Sequence, residues 1–338
     1  MVSNHKKFTI SAPTEVQFDI TNKCNFRCSH CYNESGENNT CQNELTDIEV
    51  EAFFDDLAKL KPFNVCFCGG EPLLRHKLIA RVSKKVKNSI PNLSIVTNGF
   101  LLTEEVLEEL LDSGINRIQV SLDGITKDTY EKLRLVDGSF EHAMKAIDLC
   151  LAHKERLKSF MLSFIPTSFN TFQFAELAET MLAKGVDSVR VQPLMLSGRG
   201  RDNAETLKPK PHQYRQLVKT ILLLQSKYDS NKISYGDPVD HIIRFGKYLT
   251  KVNSNISVKA NGNIILTPYI PISFGNIKNA PLSEYWKNGL SGAWGHPTFQ
   301  EYTKHINVVE DIGKDISGFP RLWHDDDLSL DILKKEVI

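Results

Sequence analysis

Between residues 15 and 228 the sequence repeats one rhythm: a short run rich in β-branched or aromatic residues, then a longer amphipathic stretch. Strand candidates occupy 16–20, 64–68, 93–97, 117–122, 160–165 and 188–193, and helix candidates lie near 47–60, 76–88, 104–112, 140–154, 172–184 and 212–228. Strands alternating with helices pair in parallel, because a helix must carry the chain back across the sheet between neighbours. The first helix opens on a capping box, Thr46 with Glu49, and its apolar positions Ile48, Ala52, Phe53 and Leu57 are expected on one face. Six units fall short of an eight-fold barrel, which leaves a laterally open partial barrel or an open doubly wound sheet. Both place their chemistry at the carboxyl ends of the strands. The polar and glycine-rich clusters obey this, since residues 21–31, 69–72, 98–99 and 123–124 each follow a strand directly.

The expected architecture is therefore α/β: a partial (β/α)6 barrel over 15–230, an N-terminal extension over 1–14 and a small α+β module over 231–338. The module is expected because the rhythm changes beyond residue 228, and 256–276 reads as strands broken by Asn-Gly and Pro turns, a hairpin signature. Lys and Arg number 41 against 41 Asp and Glu, so no net field draws the chain to nucleic acid or an anionic membrane. The first 13 residues lack a signal-peptide core and no later stretch approaches a membrane span, which points to a cytoplasmic protein. The seven cysteines are odd in number and all lie at or before position 150, so metal ligation or thiol chemistry is expected in place of a disulfide framework.

Cys24, Cys28 and Cys31 place three thiols within eight residues of the loop after the first strand. Three thiolates on a four-iron cluster leave one iron without a protein ligand, an opening for a chelating cofactor or substrate. A structural zinc site with His30 or Cys41 as fourth ligand is the alternative. Gly69-Gly70-Glu71-Pro72 follows the second strand; two glycines let backbone approach a ligand, and Glu71 offers an acceptor to an ammonium group. A plain turn is the competing reading of this tetrapeptide.

The cysteine spacing and the Gly-Gly-Glu-Pro run, followed in order by Thr97-Asn98-Gly99 and Ser121-Leu122-Asp123-Gly124, resemble the radical S-adenosylmethionine (radical SAM) superfamily over residues 15–195. The resemblance implies one 4Fe–4S cluster on Cys24, Cys28 and Cys31 whose remaining iron binds the amino and carboxylate groups of S-adenosylmethionine. One electron then splits the sulfur–C5' bond, and the 5'-deoxyadenosyl radical takes a hydrogen from the substrate. It further implies that the backbone of Tyr32 meets the adenine and that Gly69, Gly70 and Glu71 receive the methionine amino group. Asn98, Ser121 and Asp123 would lie near the ribose and carboxylate, Arg134 would bind the carboxylate, and Gln192 with Pro193 would flank the adenine. A flavodoxin- or ferredoxin-type electron donor belongs to the same picture.

Residues 258–286 resemble the start of a SPASM or twitch extension, but Thr267 or Pro268 stands where that pattern has a cysteine, and no cysteine follows. An auxiliary cluster is thus not expected. The leading functional reading is an oxidoreductase-type radical enzyme acting on a side chain of a ribosomally made peptide or protein; the alternatives are a radical enzyme for a small metabolite, such as an aminosugar or nucleoside, and a non-catalytic zinc-stabilised binding protein. Cys66 and Cys68 alternate along the second strand and share a face, as core thiols or with Cys68 as a hydrogen-atom donor. Cys150 reads as core and Cys41 as a bystander. His324 to Asp327 reads as an acidic turn, and Trp286, Trp294 and Trp323 as anchors of the C-terminal module.

Overall fold

The computed structural model describes residues 10–36, 43–248 and 254–334. Cys41 lies outside the described residues. Strands β1 (Glu15–Thr21), β2 (Asn64–Gly69), β3 (Asn92–Thr97), β4 (Arg117–Ser121), β5 (Ser159–Phe164) and β6 (Ser188–Val191) pair in parallel in that order. Each agrees with its expected position to within two residues. Between them run α1 (Asp47–Leu60), α2 (His76–Val86), α3 (Glu104–Ser113), α4 (Lys127–Arg134), α5 (Ser139–Ala152) and α6 (Phe174–Lys184). Helix α4 was not anticipated; it occupies the stretch between β4 and α5.

Alternation along each strand separates two faces. Val16, Phe18 and Ile20 of β1 are fully buried against the helices, with Phe18 5.2 Å from Phe53 of α1 and Phe54 stacked on Phe67 of β2 at 5.3 Å. The capping box at Thr46 is present, its hydroxyl accepting from Glu49 N. The buried face of α1 is Val50, Phe53, Phe54 and Leu57, while Ile48 is 81 % exposed. The expected face was thus misplaced: positions 50, 53, 54 and 57 follow the i, i+3, i+4, i+7 stripe that Ile48 and Ala52 do not.

The sheet face turned away from this helical layer is polar. One residue from each strand shows it: Gln17, Cys66, Ser94, Gln119, Ser163 and Arg190 alternate with the buried apolar positions and so face the other way. A closed (β/α)8 barrel packs branched apolar side chains into its centre. Here Gln17 and Arg190 are exposed, so the inner face bounds open space.

After β6 come the short helices α7 (Arg199–Asp202) and α8 (Ala204–Leu207), then α9 (Pro211–Tyr228), β7 (Ile233–Tyr235) and α10 (Pro238–Ile243). The remainder contains β8 (Asn255–Val258), β9 (Asn263–Ile265), β10 (Ile272–Asn276), α11 (Leu282–Lys287), α12 (Pro297–Thr303) and β11 (Leu328–Ser329). The expected hairpin exists as antiparallel β8–β9 and β9–β10 pairs. Beyond expectation, β7 continues the sheet beside β6, and β8 pairs in parallel with β1, giving one sheet in the order β11-β10-β9-β8-β1-β2-β3-β4-β5-β6-β7. The C-terminal residues are therefore stitched to both sides of the six-stranded core. Among the described residues, no helix is long and apolar enough to cross a membrane.

Candidate active site

The loop leaving β1 at its carboxyl end is braced before it reaches the first cysteine. Glu44 accepts from the Asn22 amide at 2.7 Å and from Thr21 Oγ1 at 2.9 Å. Arg27 donates to the carbonyls of Cys24 at 2.8 Å, Phe26 at 2.9 Å, and Gly36. Gly36, at φ +87°, yields to Arg27 the space a Cβ would fill. Cys28 is buried, Cys24 and Cys31 are half-buried, and none is in a disulfide. Burial pushes the Cys24 thiol up to about 12 and the Cys28 thiol up to about 11, so both keep their protons unless a metal replaces them. The Phe26 amide donates to Cys24 Sγ at 3.4 Å and Arg134 Nη1 to Cys28 Sγ at 3.8 Å, contacts that stabilise sulfur once it carries negative charge. A tetrahedral zinc with Zn–S bonds of about 2.3 Å draws its sulfurs to about 3.8 Å from one another. Among the described residues, the one trio of His, Cys, Asp or Glu ligand atoms gathered within 4.8 Å is Glu104, Glu108 and His153. At least one pair of the three cysteine sulfurs therefore lies more than 4.8 Å apart, wider than the spacing around one tetrahedral zinc. His30, the alternative zinc ligand, points Nε2 at Asp123 (3.4 Å), and burial first, then Arg134 and Arg199, lower it to about 4 against the pull of Asp123.

Gly69 and Gly70 serve the approach of the chain to itself. A Cβ at Gly69, φ +125°, would lie 2.1 Å from Thr21 O, and one at Gly70 2.2 Å from Lys23 O. Gly70 N donates to Thr21 O at 2.8 Å and Glu71 N to Lys23 O at 2.9 Å. The room expected for a ligand at these Cβ positions is filled by the root of the cysteine loop. Glu71 is buried; its Oε1 accepts from Leu73 N at 3.0 Å and Thr97 Oγ1 at 2.7 Å, and its Oε2 from Asn98 N at 2.9 Å. A carboxylate has about four acceptor sites, so one on Oε2 is left. Burial raises the Glu71 pKa while these bonds hold it down. Asn98 donates to Asn25 Oδ1 at 2.9 Å, and Asn25 Nδ2 is buried without a partner.

Asp123, fully buried after β4, accepts from Ile165 N at 2.9 Å and pairs with Arg134 Nη2. Burial alone would disfavour charge on Arg134, but Asp123 outweighs it, by its charge and its hydrogen bond, and keeps the guanidinium protonated. Its Nε is buried and without a partner, a free donor beside the cysteine loop. The Ser121 and Ser163 hydroxyls lie 3.3 Å apart on the inner face. Gln192 is half-buried, its amide donating to Phe164 O at 3.0 Å. Tyr32 sets its ring edge-on to Trp323 at 5.6 Å. Thus Cys24, Cys28, Cys31, Glu71, Asn98, Asp123 and Arg134 are joined by contacts at the carboxyl ends of β1 to β4, with Ser121 at the end of β4 itself.

Residues 18–181 match the family model of the Radical SAM superfamily. The chain carries a radical SAM domain. It is 26 % identical over 303 residues to the AdoMet-dependent heme synthase of Methanosarcina barkeri, covering 82 % of this chain and 83 % of that one. It is 29 % identical over 238 residues to the mycofactocin maturase MftC of Mycolicibacterium smegmatis, covering 70 % of this chain and 57 % of that one. Among solved structures, Streptococcus suis SuiB bound to S-adenosylmethionine superposes with a TM-score of 0.65 at 16 % identity, over 88 % of this chain and 69 % of SuiB. Native anSMEcpe with bound AdoMet gives 0.65 at 17 %, over 95 % and 94 %. These likenesses show the α/β fold with its parallel-dominated sheet. Residues 18–181 form a radical SAM domain, and members of that superfamily bind a 4Fe–4S cluster and S-adenosylmethionine.

Inspection of the sequence missed one support of the cysteine loop. Residues 197–203, after β6, grip the cysteine loop through its carbonyls. Ser197 Oγ donates to Tyr32 O at 2.9 Å, Arg199 to Cys28 O at 3.0 Å and Ser35 O at 3.1 Å, Gly200 N to Cys31 O at 3.3 Å, and Asn203 to Ser29 O at 3.2 Å. Gly198 has no room for a Cβ, which would come within 2.8 Å of Cys31 O. The signal available was Ser-Gly-Arg-Gly itself, two glycines and an arginine a few residues beyond a strand end.

Cys66 and Cys68 do share a face, with Sγ atoms 3.4 Å apart, and Asp19 is the register partner of Cys68. The hydrogen bond with Cys66 and burial raise the Cys68 thiol well above its ordinary value, so it remains S–H. The carboxylates of 325–327 do not converge: Asp325 pairs with Arg321 and His324, and Asp327 with Lys259 at 2.6 Å. Trp286, Trp294 and Trp323 are all buried as expected of anchors; Trp323 donates to Pro268 O at 2.9 Å and its ring also meets that of Tyr32.

Proposed function

We propose that Cys24, Cys28 and Cys31 hold the cluster and that the inner face of the sheet is the chamber in which a peptide or protein side chain is modified. The observation that carries this reading is three thiols on one braced loop at the carboxyl ends of parallel strands, opening onto a polar inner face. When bound, the cluster and S-adenosylmethionine supply one-electron cleavage of the sulfur–C5' bond and a carbon radical able to take a substrate hydrogen. Glu71, through its remaining Oε2 site, would accept from the methionine ammonium, and the partnerless Arg134 Nε would donate to its carboxylate. Tyr32, Asn98, Ser121 and Gln192 would surround the nucleoside. Gly69, Gly70 and Asp123 act one step back, fixing the cysteine loop, Glu71 and Arg134. Cys68, held protonated on the same face, is placed to return a hydrogen atom to a substrate radical. A flavodoxin- or ferredoxin-type protein would supply the electron.

The peptide reading draws support from the mycofactocin maturase likeness and from the shared fold with SuiB bound to precursor peptide SuiA and with anSMEcpe bound to the Kp18Cys peptide. In this reading 231–338 is a SPASM- or twitch-like scaffold without cluster ligands; Thr267, at the usual cysteine position, is buried. A small-metabolite substrate is the second reading, favoured by the heme synthase match, which covers 83 % of that enzyme. Deuterated candidates of both classes, incubated anaerobically with reduced enzyme and S-adenosylmethionine, distinguish them. Deuterium is expected in 5'-deoxyadenosine from a peptide; its appearance only from a small metabolite would overturn the peptide assignment.

A further inference from the structure

We propose that Arg190 is an anion-binding residue of the chamber, placed to receive a carboxylate of the substrate. This rests on reading the inner face as the substrate chamber. Val189 and Val191 are fully buried on the helical side, so Arg190 between them projects into the inner face, where it is exposed. The strand register sets Ser163 beside Arg190, Ser121 beside Ser163, and Ser234 on the far side of Arg190. A guanidinium thus stands in a row of hydroxyls, level with the strand end that carries Asp123.

The group is placed but makes no ion pair: the neighbouring acid Asp237, which acts on Tyr269 together with Arg190, turns its carboxylate to the Val239 and Asp240 amides at the start of α10. A Cβ at position 236 would come within 2.9 Å of Arg190 Nη2, so glycine there leaves the guanidinium its place against the chain. Its charge helps lower His241 and opposes the raising of Tyr269, in each case behind the effect of burial. Arg134, the other arginine of the strand ends, is neutralised by Asp123. No hydrogen bond or ion pair reaches the Arg190 side chain among the described residues. The inner-face acids Glu15 and Asp19 lie on β1, five strands away in the sheet order. A planar fork of N–H donors flanked by serine hydroxyls matches the geometry of a carboxylate.

Holoenzyme with S-adenosylmethionine bound, wild type and Arg190→Gln, would be titrated with two pairs of probes read by fluorine NMR. One pair is 4-fluorobenzoate and 4-fluorobenzamide. The other is a doubly capped peptide carrying 4-fluorophenylalanine and a single glutamate, and its glutamine counterpart. Wild type should bind the acid of at least one pair roughly tenfold or more tightly than its amide, and Arg190→Gln should lose that preference. Preference within the peptide pair assigns a peptide-borne carboxylate; preference confined to benzoate assigns a small acid. Equal binding of acid and amide by wild type, or a preference that survives Arg190→Gln, overturns the proposal while leaving the chamber intact. Failure of wild type to bind any of the four overturns the chamber and the proposal together. Because Arg190 has no partner to strand, the variant should unfold at the wild-type temperature, which separates lost binding from lost structure.

Discussion

Asp19 shows how the inner face strains against its own polarity. Burial raises its pKa from 3.8 to about 7, with Lys259 pulling the other way. A carboxyl whose folded pKa lies above its unfolded value takes up a proton on folding, so its effect on stability is most favourable at low pH and worsens as pH rises from about 4 through about 7. Asp19→Asn should therefore gain stability relative to wild type as pH is raised from about 5 to about 8, measured by denaturant unfolding at each pH. Parallel profiles for the two proteins would contradict the burial argument. At this scale the cysteines, Glu71 and Asn98 were legible because their motifs are short and each follows its own strand. The partners of these residues were less so. That Asp123 holds Arg134, and that the glycines meet the cysteine loop's backbone, depends on contacts between separate units that no spacing records.

Among elements, the cysteine loop and its two supports form the working unit. One support, Gly70 and Glu71 against Thr21 and Lys23, lay within a motif that could be read. The other, residues 197–203, contacts residues more than 160 positions earlier, and sequence inspection has no access to such pairs. The misplaced face of α1 has a simpler cause: Phe53 and Leu57 fit two overlapping stripes, and only packing against Phe18 and Phe67 selects the one containing Val50 and Phe54. Arg199→Ala removes two charged-donor hydrogen bonds, each worth roughly 1.5–3 kcal/mol, from the carbonyls of Cys28 and Ser35. The variant should fold but lose cluster iron and visible absorption faster in air than wild type, and its apo form should show faster alkylation of Cys28. Unchanged iron retention and unchanged alkylation would reduce the segment to a passive connection.

For the whole molecule, the central question is whether the C-terminal residues are a separate unit. The six-unit core was readable because parallel strands between helices leave a strong pattern. The joins at its edges were not, since β7 has three residues and β8 four. Those joins are many-sided: β8 pairs with β1, Ser283 N donates to Asp56 of α1 at 2.9 Å, and Trp286 Nε1 donates to Ile10 O at 2.8 Å. Removing residues beyond 230 would expose an edge of β1 and its polar backbone. Full-length protein should accordingly unfold in one calorimetric transition, with calorimetric and van't Hoff enthalpies in agreement. Two resolved transitions would show that the C-terminal part stands on its own.

The account as a whole depends on the three thiols of the braced loop leaving one iron of a cluster open to S-adenosylmethionine. Electron paramagnetic resonance of the anaerobically reconstituted, reduced protein tests this most directly, with about four irons per chain as the starting condition. Adding S-adenosylmethionine should change the cluster signal in wild type, and the Cys24→Ala, Cys28→Ala, Cys31→Ala triple variant should give no signal to change. A wild-type spectrum identical with and without S-adenosylmethionine, or a cluster signal persisting in the triple variant, would contradict it.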